Sequence, residues 1–246
     1  MNIPLPSRQQ AFRLRLHVTS QRPQTLRLHV RDARHPDRYY IRRRVPLAVG
    51  ARSFSLPFPQ SPEALVLELH AEAPQALEVT GTEVEQLAAE ALWLEPEMRS
   101  FLAFAERLAR ECLSLGPGVV ESPEGDFLVQ LLPVITEQGK ALQTPARINR
   151  KTGRIQLSLR HFARYTVPVR LFILLHERYH YQLRDRSERG PDLAALRLLL
   201  ALGYPETELV YAATQVFLAH PEALGKSHAK RVKDILTFIK AQKQDA

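Results

Sequence analysis

The sequence is poor in cysteine and has no long apolar run. Cys112 is the single cysteine among 246 residues, so no disulfide can form within the chain and no zinc site can be built from several thiolates. No run of 18 apolar residues occurs, which excludes a membrane-spanning helix, and the first residues lack the basic and then apolar segments of a secretory signal. We therefore predict a cytoplasmic protein without a membrane partner, in which any metal site uses histidine and carboxylate ligands.

Acidic residues are scarce in the first quarter of the chain. Residues 1–60 contain 12 arginines, no lysine and two aspartates, whereas the remaining residues contain 22 basic and 24 acidic side chains. The formal net charge of +8 therefore comes from the first 60 residues. Clustered arginines on one surface are typical of proteins that bind nucleic acid or an acidic partner. A basic sheet face that is merely exposed to solvent is the alternative that the composition leaves open.

Within this basic segment, apolar side chains alternate with polar ones. The runs 12–19 and 26–31 place an apolar residue at every second position, with mostly Arg or His between them, a period typical of strands with one buried face. We predict a basic β-rich module over residues 1–74, built as an antiparallel β-sandwich or half-barrel. Its strands are expected near residues 12–18, 26–30, 38–45, 51–57 and 64–71.

The apolar period changes to that of helices after residue 82. Thr82 and Glu85 have the spacing of a capping box for a helix that ends at Leu92, and Pro96 suits the first turn of a helix that stops before Gly116. We predict a mainly helical second domain with a small sheet over residues 82–246, so that the fold class is α+β. Its other expected elements are strands at 126–135 and 154–159 and helices at 166–181, 191–202, 206–219 and 227–242.

One motif in the second domain carries chemistry. His176 and His180 are four residues apart on a predicted helix, so their side chains lie one turn apart on the same face and can bind one metal ion. Glu177 follows the first histidine, where a carboxylate can accept a proton from water without binding the metal itself. With 9 histidines and 26 acidic residues, a His-acid-x-x-His pattern is expected by chance only about 0.03 times in this chain.

A catalytic zinc ion ordinarily has three protein ligands, and the third must come from an acid downstream. Asp185, Glu188 and Asp192 are near enough in sequence. The simplest assignment places Glu188 on the metal and Asp192 on the second ring nitrogen of a ligand histidine. Because proline is tolerated only in the first turn of a helix, a helix that starts at Pro191 would leave Glu188 in a loop and make Asp192 a rival ligand.

In this pattern the chain resembles the gluzincin-type zinc metallopeptidases, in which HExxH is followed by ExxxD on the next helix. The matching residues are His176-Glu177-x-x-His180 and Glu188-x-x-x-Asp192. The resemblance implies a zincin-like domain with one Zn²⁺ ion held by His176, His180 and Glu188. It implies that Asp192 supports a ligand histidine. It also implies hydrolysis of peptide bonds, with Glu177 taking a proton from water that the zinc activates.

A fainter resemblance extends beyond the motif. Segments 144–149, 165–168 and 192–205 are similar to uncharacterised metallopeptidases of bacteria and their phages, and the whole resemblance covers about residues 97–220. In zincin folds the substrate lies along a sheet edge beside the motif helix. Residues 153–158 could form that edge or an internal strand, and the sequence leaves both open.

Two functions therefore follow as hypotheses. The first is a zinc metallopeptidase that acts on a protein or peptide substrate and whose β-rich module localises it or presents the substrate. The second is a binding protein, for nucleic acid or a protein partner, in which the zincin-like domain is degenerate or structural.

Overall fold

The computed structural model describes residues 1–5, 7–87, 94–184, 187–206, 208–212 and 233–238. The chain divides into two compact units, one of residues 1–92 with 202–205 and one of residues 93–201 with 206–246. The first unit is rich in sheet and the second combines helices with a small sheet, so the fold is of the α+β class.

The first unit contains two antiparallel sheets. Their strand orders are β1-β6-β3-β4 and β5-β2-β7. The five strands predicted between residues 12 and 71 are confirmed as β2 (Phe12–Ser20), β3 (Gln24–Asp32), β4 (Tyr39–Leu47), β5 (Gly50–Phe58) and β6 (Leu65–Ala71). Two further strands, β1 (Asn2–Leu5) and β7 (Leu77–Gln86), complete the sheets and were not predicted from the sequence.

The period of two decides which side chains of this unit are buried. Leu14 and Leu16 on β2, and Leu26 on β3, are fully buried, while the arginines between them face solvent or are half-buried. Because neighbouring side chains of a strand point to opposite faces, each of the two sheets has one apolar face in the core. The alternation in the sequence therefore fixes both the strands and the faces that they bury.

The prediction of a helix that begins at Thr82 is wrong. Residues 77–86 form β7, which pairs with β2. The cross-strand contacts explain the outcome, because Glu85 accepts hydrogen bonds from Arg13 and Arg15, each at 3.3 Å. β7 is also rich in β-branched valine and threonine, which favour strands. The rest of that prediction, residues 88–92, lies outside the described part of the chain.

The second unit contains a mixed sheet of order β12-β13-β9-β8, in which β13 runs parallel to β9 and the other pairs are antiparallel. Its strands are β8 (Gly118–Glu121), β9 (Leu128–Leu132), β12 (Ala146–Ile148) and β13 (Ile155–Ser158), with a separate hairpin of β10 (Thr136–Glu137) and β11 (Lys140–Ala141). Its helices are α1 (Pro96–Leu115), α2 (Leu159–Phe162), α3 (Val167–Leu183) and α4 (Arg189–Ala201).

The strand that precedes the motif helix is internal. β13 lies between β12 and β9, so residues 153–158 do not form a sheet edge, and the edge strand nearest to α3 is β12. The predicted helices at 206–219 and 227–242 are described only at 206, 208–212 and 233–238, where the chain is helical. None of the described helices has the length and apolar character needed to cross a bilayer.

α3 is the central helix of the second unit. It packs against α1, α4 and β12, and its residues 167–176 are all buried. Pro168 is in its first turn, and the helix ends where Arg184 adopts a left-handed conformation with φ of 49°. Such burial on several sides explains the nearly continuous apolar sequence before the motif.

Arg178, between the two motif histidines, joins α3 to α1. Its side chain is buried, forms an ion pair with Glu97, and lies 5.4 Å from the ring centre of Phe101 and 5.0 Å from that of Phe127. Charged groups over aromatic rings are stabilised by the ring quadrupole. Arg178 is therefore part of the packing of the helix that carries the site.

We expect Arg178→Ala to lower the free energy of unfolding by about 3 kcal/mol, because it removes a buried, paired and well-packed cation. Urea unfolding followed by circular dichroism measures this change. Arg107→Ala is the control, since Arg107 lies 5.8 Å from the ring centre of Phe104 on the same helix as Glu97 but is only half-buried, and it should cost less than about 1 kcal/mol. Equal losses in the two variants would contradict the structural role of Arg178.

Candidate metal centre

The two histidines of the motif converge on one point. The Nε2 atoms of His176 and His180 lie 3.0 Å apart, and their rings are nearly perpendicular, with centroids 4.6 Å apart. Both side chains are buried. The helical spacing of four residues produces this approach, because it stacks the two side chains on the same face of α3.

Glu188 completes a triangle with these two nitrogens. Its Oε2 atom lies 3.4 Å from Nε2 of His176 and 3.5 Å from Nε2 of His180. Glu188 immediately precedes α4, and its carbonyl oxygen accepts the backbone N–H of Asp192 at 3.1 Å. The short connection from α3 thus returns the carboxylate to the histidines.

The dimensions of the triangle fit a zinc ion. In a tetrahedral site with bonds of about 2.0–2.2 Å, the ligand atoms are separated by about 3.3–3.6 Å. The two separations from Glu188, 3.4 and 3.5 Å, fall within this range, and the separation of 3.0 Å between the two Nε2 atoms lies just below it. His176, His180 and Glu188 accordingly form a group that could hold a metal ion.

Asp192 lies on the other side of the His176 ring. Its Oδ1 atom is 2.9 Å from Nδ1 of His176, and its side chain is 1% exposed, whereas Glu188 is 48% exposed. A carboxylate at the second ring nitrogen fixes which nitrogen carries the proton and leaves Nε2 available for a metal. The helix starts at Arg189, so Asp192 is in its first turn and Pro191 causes no break.

The electrostatics of the cluster favour a bound cation. Burial alone would lower the pKa of His176, but hydrogen bonds to Asp192 and Glu188 and the charges of Asp192 and Glu177 outweigh it and raise the pKa to about 9. The acidic groups around this ring therefore stabilise positive charge at the position where the three ligand atoms meet.

Glu177 lies beside the triangle and is not part of it. Its carboxylate accepts a hydrogen bond from the backbone N–H of Ile148 on β12. Loss of solvation raises the pKa of Glu177, while the two histidines and this hydrogen bond act in the opposite direction. A carboxylate that is held in place next to a metal site and has a raised pKa is suited to accept and return a proton.

Arg150 also reaches the site, and sequence analysis did not identify it. Its Nη2 atom lies 3.1 Å from Nδ1 of His180. Arg150 is in the turn between β12 and β13, where Asn149 accepts the backbone N–H of Lys151 at 2.9 Å and that of Gly153 at 2.8 Å. Gly153 has a left-handed φ of 71°, and a Cβ atom at this position would lie 3.4 Å from the Tyr181 ring. The turn therefore packs directly on α3.

The contact between Arg150 and His180 has a consequence for metal binding. A guanidinium group can only donate, so Nδ1 of His180 must accept, and a neutral ring then carries its proton on Nε2. Binding of a metal through Nε2 requires the opposite arrangement, with the proton on Nδ1. The hydrogen bond from Arg150 and coordination by His180 therefore exclude each other.

We expect Arg150→Met to bind zinc about fivefold more tightly than the unaltered chain, because the competing hydrogen bond is worth about 1 kcal/mol. Zinc affinity measured by competition with a chromophoric chelator provides the test. Arg154→Met is the matched control, since it removes the same charge from the same β12–β13 connection and Arg154 is exposed. An equal gain in both variants would show a general charge effect and would contradict a specific role of Arg150.

A second group of metal-ligand type is present in the first unit. His29 on β3 and Glu68 and His70 on β6 have ligand atoms within 4.8 Å of one another. The Glu68 carboxylate is engaged by Nε of Arg31 at 2.6 Å. Sequence analysis did not identify this group, because its members come from strands about 40 residues apart in the chain.

Comparisons with protein-family models, with curated proteins and with solved structures gave no match. The functional argument therefore depends on the residues of the site and their geometry.

Proposed function

We propose that the chain is a zinc-dependent metallopeptidase of the gluzincin type, with a zincin-like second unit and a β-sandwich-like first unit. The observation that supports it most is the meeting of Nε2 of His176, Nε2 of His180 and Oε2 of Glu188 within 3.0–3.5 Å of one another. Asp192 at Nδ1 of His176 gives further support, because catalytic zinc sites commonly have such a carboxylate behind a ligand histidine.

The residues would hold one Zn²⁺ ion through two imidazole nitrogens and one carboxylate oxygen. Three protein ligands are the number typical of catalytic rather than structural zinc sites. When bound, zinc supplies a Lewis acid that acidifies water and polarises the carbonyl group of a peptide bond.

Glu177 performs the proton transfers in this proposal. Its carboxylate accepts the proton of the attacking water, and the resulting carboxylic acid delivers that proton to the nitrogen of the leaving amine. The hydrogen bond from Ile148 orients the carboxylate. Loss of solvation, which raises its pKa, favours the protonated form that the second step needs.

β12 is the strand along which an extended substrate would lie. Asn149 donates its N–H to Arg154, and Ser158 donates to Pro145, so the intervening polar groups of Ala146 and Ile148 point away from β13. The Ala146 carbonyl there accepts the Thr144 hydroxyl at 2.7 Å and the Ile148 N–H is used by Glu177, so an added strand would pair with the N–H of Ala146 and the carbonyl of Ile148. This side of β12 is the one nearest to Glu177. An extended peptide that binds next to it would place a carbonyl group close to the histidines.

The proposal is tested by incubating the zinc-loaded chain with a mixture of unfolded proteins and analysing the products by mass spectrometry. We expect new peptide termini, no cleavage after removal of zinc with a chelator, and recovery when zinc is restored. Cleavage that persists in the chelated protein would contradict a zinc-dependent mechanism.

The alternative, a binding protein with a degenerate or structural zincin-like domain, makes a different prediction for the same experiment. It predicts that zinc binds and that no peptide bond is cleaved. The feature that favours a binding role is the arginine-rich surface of the first unit, and this role is compatible with peptidase activity in the second.

A further inference from the structure

The arginines of the first unit lie on two different sheet faces. On the face of the β5-β2-β7 sheet, Arg13 and Arg15 both pair with Glu85 at 3.3 Å, and His17 lies 3.8 Å from Glu83. The acidic residues of β7 therefore neutralise the basic residues of this face. The face has little positive charge left for a partner.

The other sheet has a different outward face, which we call the arginine face. It comprises Arg27, His29 and Arg31 on β3, Arg42 and Arg44 on β4, and His70 on β6. In the strand register Arg44 is opposite Arg27, Arg42 is opposite His29, and His70 is opposite Arg27 on the other side. Arg43 is not part of it, because it is opposite the buried Leu28.

The arginine face carries an excess of positive charge. Two acids accompany its four arginines: Glu68 on β6 is paired with Arg31 at 2.6 Å, and Glu72, just past the end of β6, accepts the backbone N–H of Thr25 at 3.1 Å. Arg27 and Arg44 are exposed. Burial and the neighbouring Arg42 guanidinium, in that order, lower the pKa of His29, which is consistent with a positive potential at the surface.

The groups on this face are flat as well as charged. The guanidinium carbon of Arg42 lies 3.7 Å from the ring centre of Tyr39, and the His29 ring meets the same ring edge-on at 5.9 Å. Planar guanidinium groups and aromatic rings on an exposed sheet are surfaces on which unpaired bases stack. An acidic polypeptide would use the charges of this face and leave its planar groups without a role.

The spacing of the side chains suits a chain of phosphates. Alternate residues along β3 are separated by about 6.6 Å, and neighbouring strands by about 4.8 Å. Arginine binds phosphate oxygens through two parallel N–H groups. A sheet with arginines on two adjacent strands can therefore follow a flexible phosphate backbone over several nucleotides.

We infer that the arginine face binds single-stranded nucleic acid through its phosphates, with stacking on the Tyr39 and Arg42 pair. This function belongs to the first unit and does not depend on the metal site. Phosphate contacts carry no sequence information, so the binding is expected to tolerate any base sequence and to be sensitive to salt.

The test uses the full chain and a fluorescent 20-nucleotide single strand of mixed sequence, with binding followed by anisotropy at several salt concentrations. The variant Arg42→Gln with Arg44→Gln removes two charges from the arginine face. The variant Arg13→Gln with Arg15→Gln removes two charges from the opposite face of the same unit and serves as the matched control.

We expect binding by the unaltered chain that weakens steeply with salt. The Arg42 and Arg44 variant should bind at least tenfold more weakly, and its slope of log K against log salt should be smaller by about 1.4, since single strands give about 0.7 per phosphate contact. The control variant should stay within twofold of the unaltered chain. Equal losses in both variants, or no binding at low salt, would overturn the inference.

Two competitors distinguish the ligand class. A duplex of the same sequence should compete less well than the single strand, because its bases are not available for stacking, and a polyglutamate peptide of matched charge should compete more weakly still. Equal or better competition by the duplex or by polyglutamate would overturn the assignment to single-stranded nucleic acid. The variant Tyr39→Leu should reduce affinity for the single strand severalfold without changing the salt slope, whereas an unchanged affinity would refute the stacking contribution.

Discussion

Replacement of Glu177 by glutamine is expected to abolish peptide hydrolysis while zinc remains bound. The amide has nearly the shape of the carboxylate but cannot accept the proton of the attacking water. A general base of this kind contributes about 10²–10⁴ in rate, so we expect kcat/KM to fall about a thousandfold. Glu177 lies outside the group formed by His176, His180 and Glu188, which is why the variant should keep its zinc.

Three measurements make this prediction discriminating. Zinc content is determined by mass spectrometry of the dialysed protein, folding by circular dichroism, and activity on a peptide identified from the cleavage mixture. Glu124→Gln is the control, because Glu124 is an exposed acid in the same unit, and it should keep full activity. A Glu177→Gln variant that cleaves as fast as the unaltered chain would refute the assigned role.

The second large effect is expected from the acids near the histidines. Glu188→Gln should weaken zinc binding more than Asp192→Asn, because the Glu188 oxygen faces both Nε2 atoms whereas the Asp192 oxygen contacts Nδ1 of His176. Loss of a carboxylate behind a ligand histidine typically costs about 10–100-fold in metal affinity. Loss of a ligand should cost more than that.

Chelator competition on the two variants, and on the double variant His176→Ala with His180→Ala, measures these differences. The double variant should retain no zinc at this site. A larger loss in Asp192→Asn than in Glu188→Gln would reverse the roles of the two acids and restore Asp192 as the ligand. Asp192 is buried at 1% exposure, so an unfolding measurement must accompany that variant.

Much of the fold depends on patterns within short segments of the sequence and could be predicted from them. α1 begins at Pro96 and ends before Gly116 as predicted, because proline suits a first helical turn and glycine suits the residue after the last. β2 and β3 follow from a period of two that extends over whole strands. In these segments the local preference and the packing require the same structure.

The helix at Thr82 was predicted wrongly because contacts between residues far apart in the chain decide the structure there. The capping-box spacing of Thr82 and Glu85 is a local pattern, but pairing with β2 supplies a full ladder of hydrogen bonds and two arginine partners for Glu85. The sequence left open whether residues 153–158 form a sheet edge or an internal strand, and the sheet order that makes β13 internal is set by its pairing with β12 and β9. A tertiary ladder outweighs a cap worth about 1 kcal/mol.

Some residues of the candidate site could likewise be predicted from the sequence, and others could not. His176, Glu177 and His180 follow from helical spacing. Glu188 and Asp192 could be named as candidates from their nearness in sequence, but which of them faces the two Nε2 atoms became clear only from the structure. The contact of Arg150 with His180 joins residues 30 positions apart. It depends on how the β12–β13 turn packs on α3, which no motif encodes.

The most direct test of the central claim is anomalous scattering at the zinc absorption edge from crystals of the zinc-loaded protein. We predict one strong peak within about 2.0–2.2 Å of Nε2 of His176, Nε2 of His180 and a carboxylate oxygen of Glu188, with Arg150 moved away from His180. A zinc-replete protein with no peak at this position, or with zinc only at the His29, Glu68 and His70 group, would contradict the claim.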